Sequence, residues 1–319
     1  MAELCENQFV LMTRSSATLR GDIRWEKQSE ESQTKKLPVI IVCHGFKAFK
    51  DWGPFPAIGR YFALQGFVSI VMNFSHNGIG EEPRKFVEHE KFANNTISLE
   101  IEDVKTVLNE ITGNGFGLPF IDKDHIGLVG HSRGGAVCVI AAKEDKRVKA
   151  VAAWSTIAHF DRTTDEQKKR WREKGFVQLH TVSEQNLFRI NVSLLDDIEN
   201  NAERLDIVNA VRELRKPLLI VHGTADIPAK IEEAENLFTA FLSPQIAEIQ
   251  KITLLGRNNQ ESRQNMQAQA ECSAVFCWQR VKFLHDCLAT NAALPRFPRM
   301  KGDWVSIRET ALKVAQERC

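Results

Sequence analysis

The chain has 319 residues, 43% of them hydrophobic, which is enough to form the core of one large α/β domain or of two small ones. Its 42 basic and 41 acidic residues leave a formal net charge of +1. The net charge is therefore too small to attract the chain electrostatically to nucleic acid or to an anionic membrane. This balance favours a small neutral molecule as the binding partner.

The cysteines and the apolar segments favour a cytoplasmic protein. Seven cysteines are an odd number, and Cys43 and Cys138 lie inside apolar runs, where a reduced thiol packs well. No apolar run is long enough to cross a bilayer, and the first twenty residues show no signal-peptide pattern. Cys272 and Cys277 lack the spacing of a zinc finger or ribbon, so we expect no metal site.

Short apolar runs alternate with helical patterns along the chain, which predicts an α/β fold with a mostly parallel, doubly wound sheet. A polar, alternating segment at residues 20–27 predicts an antiparallel entry strand. Buried strands are expected at residues 37–43, 67–73, 125–130, 148–154, 217–222 and 249–255. Helices are expected at residues 57–65, 97–111, 134–143 and 231–241.

We expect one domain over residues 1–319, with its core at about residues 20–290. Residues 156–211 break the alternation with a highly charged stretch followed by helical patterning, which predicts a small helical insertion over the sheet. That insertion is either a cap on a substrate site or a surface excursion between two strands. Apolar residues recur at helical spacing behind Asp303, which predicts an extra carboxy-terminal helix at about residues 303–317.

Ser132 lies in the sequence Gly-His-Ser-Arg-Gly-Gly, between the strand expected at 125–130 and the helix expected at 134–143. A serine on a strand-to-helix turn, flanked by glycines that remove clashing side chains, is typical of a nucleophile elbow. The alternative is a structural turn. His131, which precedes a serine and ends a strand, is expected to be structural.

A serine hydroxyl is a poor nucleophile alone, so the prediction requires an oxyanion hole, an acid and a base. The motif His-Gly-Phe at 44–46 follows the first buried strand, the place where such a fold supplies one backbone N–H of the oxyanion hole, and Arg133, at the start of the next helix, would supply the other. Asp226 follows the strand at 217–222 and is the candidate acid, expected on a strand adjacent to that of Ser132. The alternatives are an ordinary turn after the first strand and a solvated loop carboxylate.

These motifs resemble those of the α/β-hydrolase superfamily, and within it the dienelactone-hydrolase-like and feruloyl-esterase-like serine hydrolases. The resemblance implies that Ser132 is the nucleophile, Phe46 and Arg133 the oxyanion donors and Asp226 the acid. It also implies an acyl-enzyme on Ser132, formed without metal or cofactor. The likeness covers most of residues 37–288 and rests on HGFKAFKDWG (44–53), NFSHNG (73–78), GHSRGG (130–135), IVHGTAD (220–226) and VKFL (281–284).

The sequence departs from this family at the base. Gln260 stands soon after the last expected strand, where the family places its histidine. An amide has no protonation near neutral pH and cannot take the proton from serine. His285, in the helical segment VKFLHDCL, is the only histidine after Asp226 and the remaining candidate, against the alternative of a solvated or packed residue.

Two functions of different classes follow. The leading hypothesis is a serine hydrolase of small or aryl carboxylic esters, with a small-molecule substrate and neither nucleic acid nor membrane as a partner. Its alternative is a catalytically silent hydrolase fold that binds a ligand or partner, with the helix near Trp304 as a docking surface. A peptidase of the prolyl-oligopeptidase kind is disfavoured, because no propeller domain precedes the hydrolase region. The oligomeric state cannot be derived from these residues.

Overall fold

The computed structural model describes residues 3–27, 36–179, 188–241, 247–252, 284, 287 and 288. The strands run in chain order as β1 (Leu4–Met12), β2 (Thr18–Glu26), β3 (Leu37–Cys43), β4 (Val68–Met72), β5 (Ile121–His131), β6 (Val148–Trp154), β7 (Phe176–Leu179), β8 (Phe188–Asn191), β9 (Leu218–Gly223) and β10 (Ala247–Ile252). The α-helices are α1 (Phe55–Leu64), α2 (His89–Ala93), α3 (Ile97–Thr112), α4 (Arg133–Glu144), α5 (Asp165–Lys174), α6 (Ser193–Asn200), α7 (Ile207–Glu213) and α8 (Ile231–Ala240).

The central sheet has eight strands in the order β1-β2-β4-β3-β5-β6-β9-β10. The pairings from β4 across to β10 are parallel, whereas β2 pairs antiparallel with both β1 and β4. The predicted mostly parallel α/β sheet with an antiparallel entry strand is therefore confirmed. All carboxyl ends of the parallel strands meet at one edge, the edge at which ligands bind in open α/β sheets.

Helices cover both faces of the sheet, which explains the uninterrupted apolar runs of the sequence. Along β3, Ile41 and Cys43 point into a cluster with α3 and α4, while Ile40 and Val42 point into a second cluster with α1. All four side chains are buried, because successive residues of a strand face opposite sides and both sides are covered here.

Two features differ from the sequence-based expectation. The edge strand β1 was not predicted, so the sheet begins at Leu4 and not near residue 20. Residues 156–211 contain, besides helices, the antiparallel hairpin of β7 and β8. Short or exposed strands carry polar residues, and their patterns resemble those of loops.

The hairpin is held by a hydrogen bond to α5 and an ion pair to α2. The Trp171 indole N–H of α5 donates to the carbonyl of Ile190 at 3.1 Å, and Arg189 pairs with Glu90 of α2 at 2.7 Å. The division into core, insertion and carboxy-terminal helix stays a prediction, and residues 303–317 lie outside the described residues. Within the described part of the chain, no helix combines the length and the apolar character that crossing a membrane requires.

Candidate active site

Ser132 occupies the turn between β5 and α4 in a strained backbone conformation, with φ 53° and ψ −123°. Such a conformation is costly for a residue with a side chain and persists only where its surroundings hold it. Its amide N–H donates to the Trp154 carbonyl at 2.8 Å, and its carbonyl accepts from the Gly135 amide at 3.0 Å and the Thr156 hydroxyl at 3.2 Å. The ends of β5 and β6 thus hold the serine on a sharp turn at the carboxyl edge of the sheet.

The glycines around the serine are required by close backbone contacts. A Cβ on Gly130 would lie 2.3 Å from the Gly134 carbonyl oxygen, and one on Gly134 would lie 2.3 Å from the His44 carbonyl oxygen. A Cβ on Gly135 would lie 2.7 Å from the Thr156 hydroxyl oxygen. The first turn of α4 therefore packs directly on the ends of β3 and β5, which a side chain at any of these positions would prevent.

The loop after β3 passes beside the serine. A Cβ on Gly45 would be 3.0 Å from the Ser132 Cβ, so Phe46, the next residue, lies on the same edge of the sheet as the serine. Neither the Phe46 amide nor the Arg133 amide hydrogen bonds to another described residue. Arg133 is the first residue of α4, where backbone N–H groups have no partner within the helix. The two amides expected to form an oxyanion hole thus belong to segments that meet at Ser132.

His44 fixes the shape of this loop as a neutral imidazole. Its Nδ1 donates to the Gly45 carbonyl at 2.8 Å, which leaves Nε2 to accept from the Phe74 amide and the Asn77 side chain, both at 3.2 Å. Burial lowers the pKa of His44 to about 4, and the positive charge of Arg133 acts in the same direction. Because both ring nitrogens already make hydrogen bonds, His44 stabilises the conformation of the loop and does not act as a base for Ser132.

Asp226 lies in a short loop after β9, and three hydrogen bonds close this loop. The Asp226 amide donates to the Gly223 carbonyl at 3.2 Å, and its carboxylate accepts from the Ala229 amide at 3.1 Å. Buried His222 donates from Nε2 to the Ala229 carbonyl at 2.6 Å, which ties the end of this loop back to the strand.

The expectation that Ser132 and Asp226 follow adjacent strands is wrong. β6 lies between β5 and β9, because the chain returns from α4 to the position next to β5 before it continues toward β9. The two side chains nevertheless stand at the same edge of the sheet. Burial lowers the pKa of His131, and the negative charge of Asp226 opposes this effect, so the loop after β9 reaches toward the residue that precedes the serine.

The candidate positions for the base, Gln260 and His285, lie outside the described residues, as do Cys272 and Cys277. Of their segment, Leu284 and Leu288 are buried on the sheet near Gly127 of β5.

A doubly wound, mostly parallel sheet with a strained serine between β5 and α4, and with a loop after β3 beside that serine, defines an α/β-hydrolase fold. The model of the prolyl oligopeptidase family matches residues 55–258, more than half of the chain, and the chain belongs to that family. The superfamily expected from the sequence is thereby confirmed. A peptidase of this kind was disfavoured for lack of a preceding propeller, and the match to the hydrolase region shows the family and not the substrate.

Known proteins show the same fold at low sequence identity. A hypothetical protein from Pseudomonas aeruginosa superimposes with a TM-score of 0.66 and 17% identity, over 90% of this chain and 95% of that one. Est1E from Butyrivibrio proteoclasticus with ferulic acid bound gives a TM-score of 0.58 and 17% identity, over 86% and 99% of the two chains. An uncharacterized 31.7 kDa protein from Escherichia coli is 31% identical over 129 residues. The chain spans about 40% of the length of that relative.

Proposed function

We propose that the protein is a serine hydrolase of carboxylic esters that forms an acyl-enzyme on Ser132. The observation that carries the proposal is the strained turn at Ser132, held by hydrogen bonds from both sides and flanked by glycines that leave no room for a side chain. Strain of this kind is retained where a nucleophile must project from the edge of a sheet.

In the proposed reaction, the hydroxyl oxygen of Ser132 attacks the ester carbonyl carbon, and the amides of Phe46 and Arg133 stabilise the charge that develops on the carbonyl oxygen. The base accepts the serine proton and passes it to the alcohol as the alcohol leaves, and a water molecule activated by the same base then releases the acid from the acyl-enzyme. Asp226 orients the base and stabilises its protonated form. We assign the base to His285, the single histidine that follows Asp226 in the chain.

The substrate assignment is supported by the solved relative whose structure holds ferulic acid, an aryl acid of the kind that ester hydrolysis would release. The family match favours a second candidate, a peptidase that cleaves amide bonds. Both reactions use the same nucleophile and oxyanion hole, so they differ in the leaving group, which an amide needs protonated before it departs. With Gln260 where related hydrolases have their histidine, protonation of an amine leaving group is the more demanding step, which favours esters over amides.

The test measures the hydrolysis of p-nitrophenyl butyrate and of an alanyl-proline p-nitroanilide by the wild type and by Ser132→Ala. We expect ester hydrolysis that Ser132→Ala abolishes and little cleavage of the anilide. Faster cleavage of the anilide than of the ester, also dependent on Ser132, would identify a peptidase. Equal rates for the wild type and Ser132→Ala with both substrates would favour the silent hydrolase fold.

A further inference from the structure

Glu100, on the first turn of α3, is a buried carboxylate directed toward the proposed active site. Its side chain is 2% exposed and pairs with the guanidinium of Arg133, whose side chain is 12% exposed. The Asn95 amide group, just before α3, donates to the same carboxylate oxygen of Glu100 at 2.7 Å. The contact therefore connects α3 to the residue that follows the nucleophile.

The guanidinium of Arg133 also lies over the ring of Phe46, 4.4 Å from its centroid. Phe46 in turn stacks on Phe92 of α2, with ring centroids 5.8 Å apart and an interplanar angle of 13°. Arg133 thus joins an ion pair with Glu100 of α3 to a cation–π contact with Phe46, and Phe46 in turn rests on Phe92 of α2.

Phe46 and Arg133 are the two residues whose amides would form the oxyanion hole, yet they belong to separate segments, the loop after β3 and the start of α4. Their side chains contact each other, and a third segment holds both. An oxyanion hole acts only when its donors are fixed near the position that the oxyanion will occupy, and a shift on the order of 1 Å can cost about 10²-fold in rate.

Stability is a poor explanation for this contact. A buried ion pair loses much of its attraction to the cost of removing two charges from water, and apolar side chains of similar volume are often as stabilising. The pair is in addition next to the nucleophile and not in the middle of the core.

We propose that Glu100 is a positioning residue for the oxyanion hole, which acts by holding the Arg133 side chain against Phe46. This inference rests on the proposed function, because it concerns the same serine site. Glu100 itself contacts no reacting atom.

The test compares Glu100→Gln with the wild type in the hydrolysis of p-nitrophenyl butyrate, after titration of the active sites so that only folded enzyme is counted. We expect kcat to fall by about 10- to 100-fold and KM to change by less than about twofold, since the oxyanion exists in the transition state and not in bound substrate. The Ki of an alkylboronic acid, which forms a tetrahedral adduct on serine, should rise by about the same factor as kcat/KM falls. Glu102→Gln is the matched control, because Glu102 lies on the same helix and makes a partly exposed pair with Lys105 at 2.9 Å.

Arg133→Met and the double variant Glu100→Gln/Arg133→Met complete a double-mutant cycle. If Glu100 acts through Arg133, the double variant should have the kcat of Arg133→Met and not the product of the two losses. The double variant also removes both charges together, so it remains a test if Glu100→Gln does not fold.

A wild-type kcat in folded Glu100→Gln, or in Arg133→Met, would overturn the inference and leave the proposed function intact. Losses that multiply in the double variant would also overturn it, because Glu100 would then act independently of Arg133. If the wild type hydrolyses the ester no faster than Ser132→Ala, the proposed function fails and the inference fails with it.

Discussion

Gly134→Ala tests whether the start of α4 must touch the end of β3. The added Cβ would lie 2.3 Å from the His44 carbonyl oxygen and 2.8 Å from the Cys43 carbonyl oxygen. Both are backbone atoms, so no side chain can rotate away. Relief of the shorter contact to ordinary van der Waals separation requires a movement of about 1 Å between α4 and the loop after β3.

Two quantities should change. Overpacking in a close-packed region costs about 3 kcal/mol of unfolding free energy, at the upper end of the usual range because backbone must move. Since the same movement separates the loop that carries Phe46 from Ser132, ester hydrolysis by the folded fraction should fall by about 10²-fold. Urea unfolding measures the first quantity, and steady-state hydrolysis of p-nitrophenyl butyrate measures the second.

Gly175→Ala is the matched control for the geometric argument. Gly175, at the end of α5, has φ 76°, and a Cβ there would have no atom within 4 Å. Its substitution should cost only about 1 kcal/mol, from the left-handed backbone alone, and leave hydrolysis unchanged. A Gly134→Ala variant that is as stable and as active as Gly175→Ala would refute the close contact of α4 with β3.

Three further predictions concern the base and a buried acid. A fluorophosphonate probe should label Ser132 slowly, and His285→Ala should slow the labelling by at least about 10²-fold if His285 is the base; equal labelling of the variant and the wild type would remove His285 from the mechanism. If His285 is not the base, Gln260→His should raise p-nitrophenyl ester hydrolysis by at least about 10²-fold, and no gain in a variant that circular dichroism shows to be folded would contradict the placement of Gln260 at the histidine position. Burial raises the pKa of Asp103 to about 8 from 3.8, so the stability from its protonated form is present at acid pH and is lost as the pH rises through 8. Asp103→Asn should therefore reduce the fall in unfolding free energy between about pH 5 and about pH 8, and an unchanged slope would show that Asp103 is not the titrating group.

The buried parallel strands were predictable from the sequence because burial on both faces leaves an unambiguous apolar run. The strands at 37–43 and 148–154 have the bounds that the sequence predicts. β1 was missed because it is an edge strand whose residues alternate in exposure, with Val10 63% and Met12 61% exposed, and its centre is the polar run Glu-Asn-Gln. An apolar sequence pattern indicates a buried strand, and an edge strand is too exposed to produce such a pattern.

The position of the serine was also predictable, since a strand, a glycine-flanked serine and a helix follow one another directly in the chain. The spatial relation of Ser132 to Asp226 was not, because strand order in a sheet does not follow chain order. The contact of Glu100 with Arg133 had no sequence signal either. The two residues are 33 positions apart, and only the packing of α3 beside α4 brings them together.

The strand β6 between the serine and the aspartate determines what kind of group can connect them. Neighbouring strands are about 4.8 Å apart, so two such steps separate the backbones of β5 and β9 by roughly 10 Å. In the proposed triad, the group that joins the Ser132 hydroxyl to Asp226 therefore has to span the end of β6, where Trp154 lies.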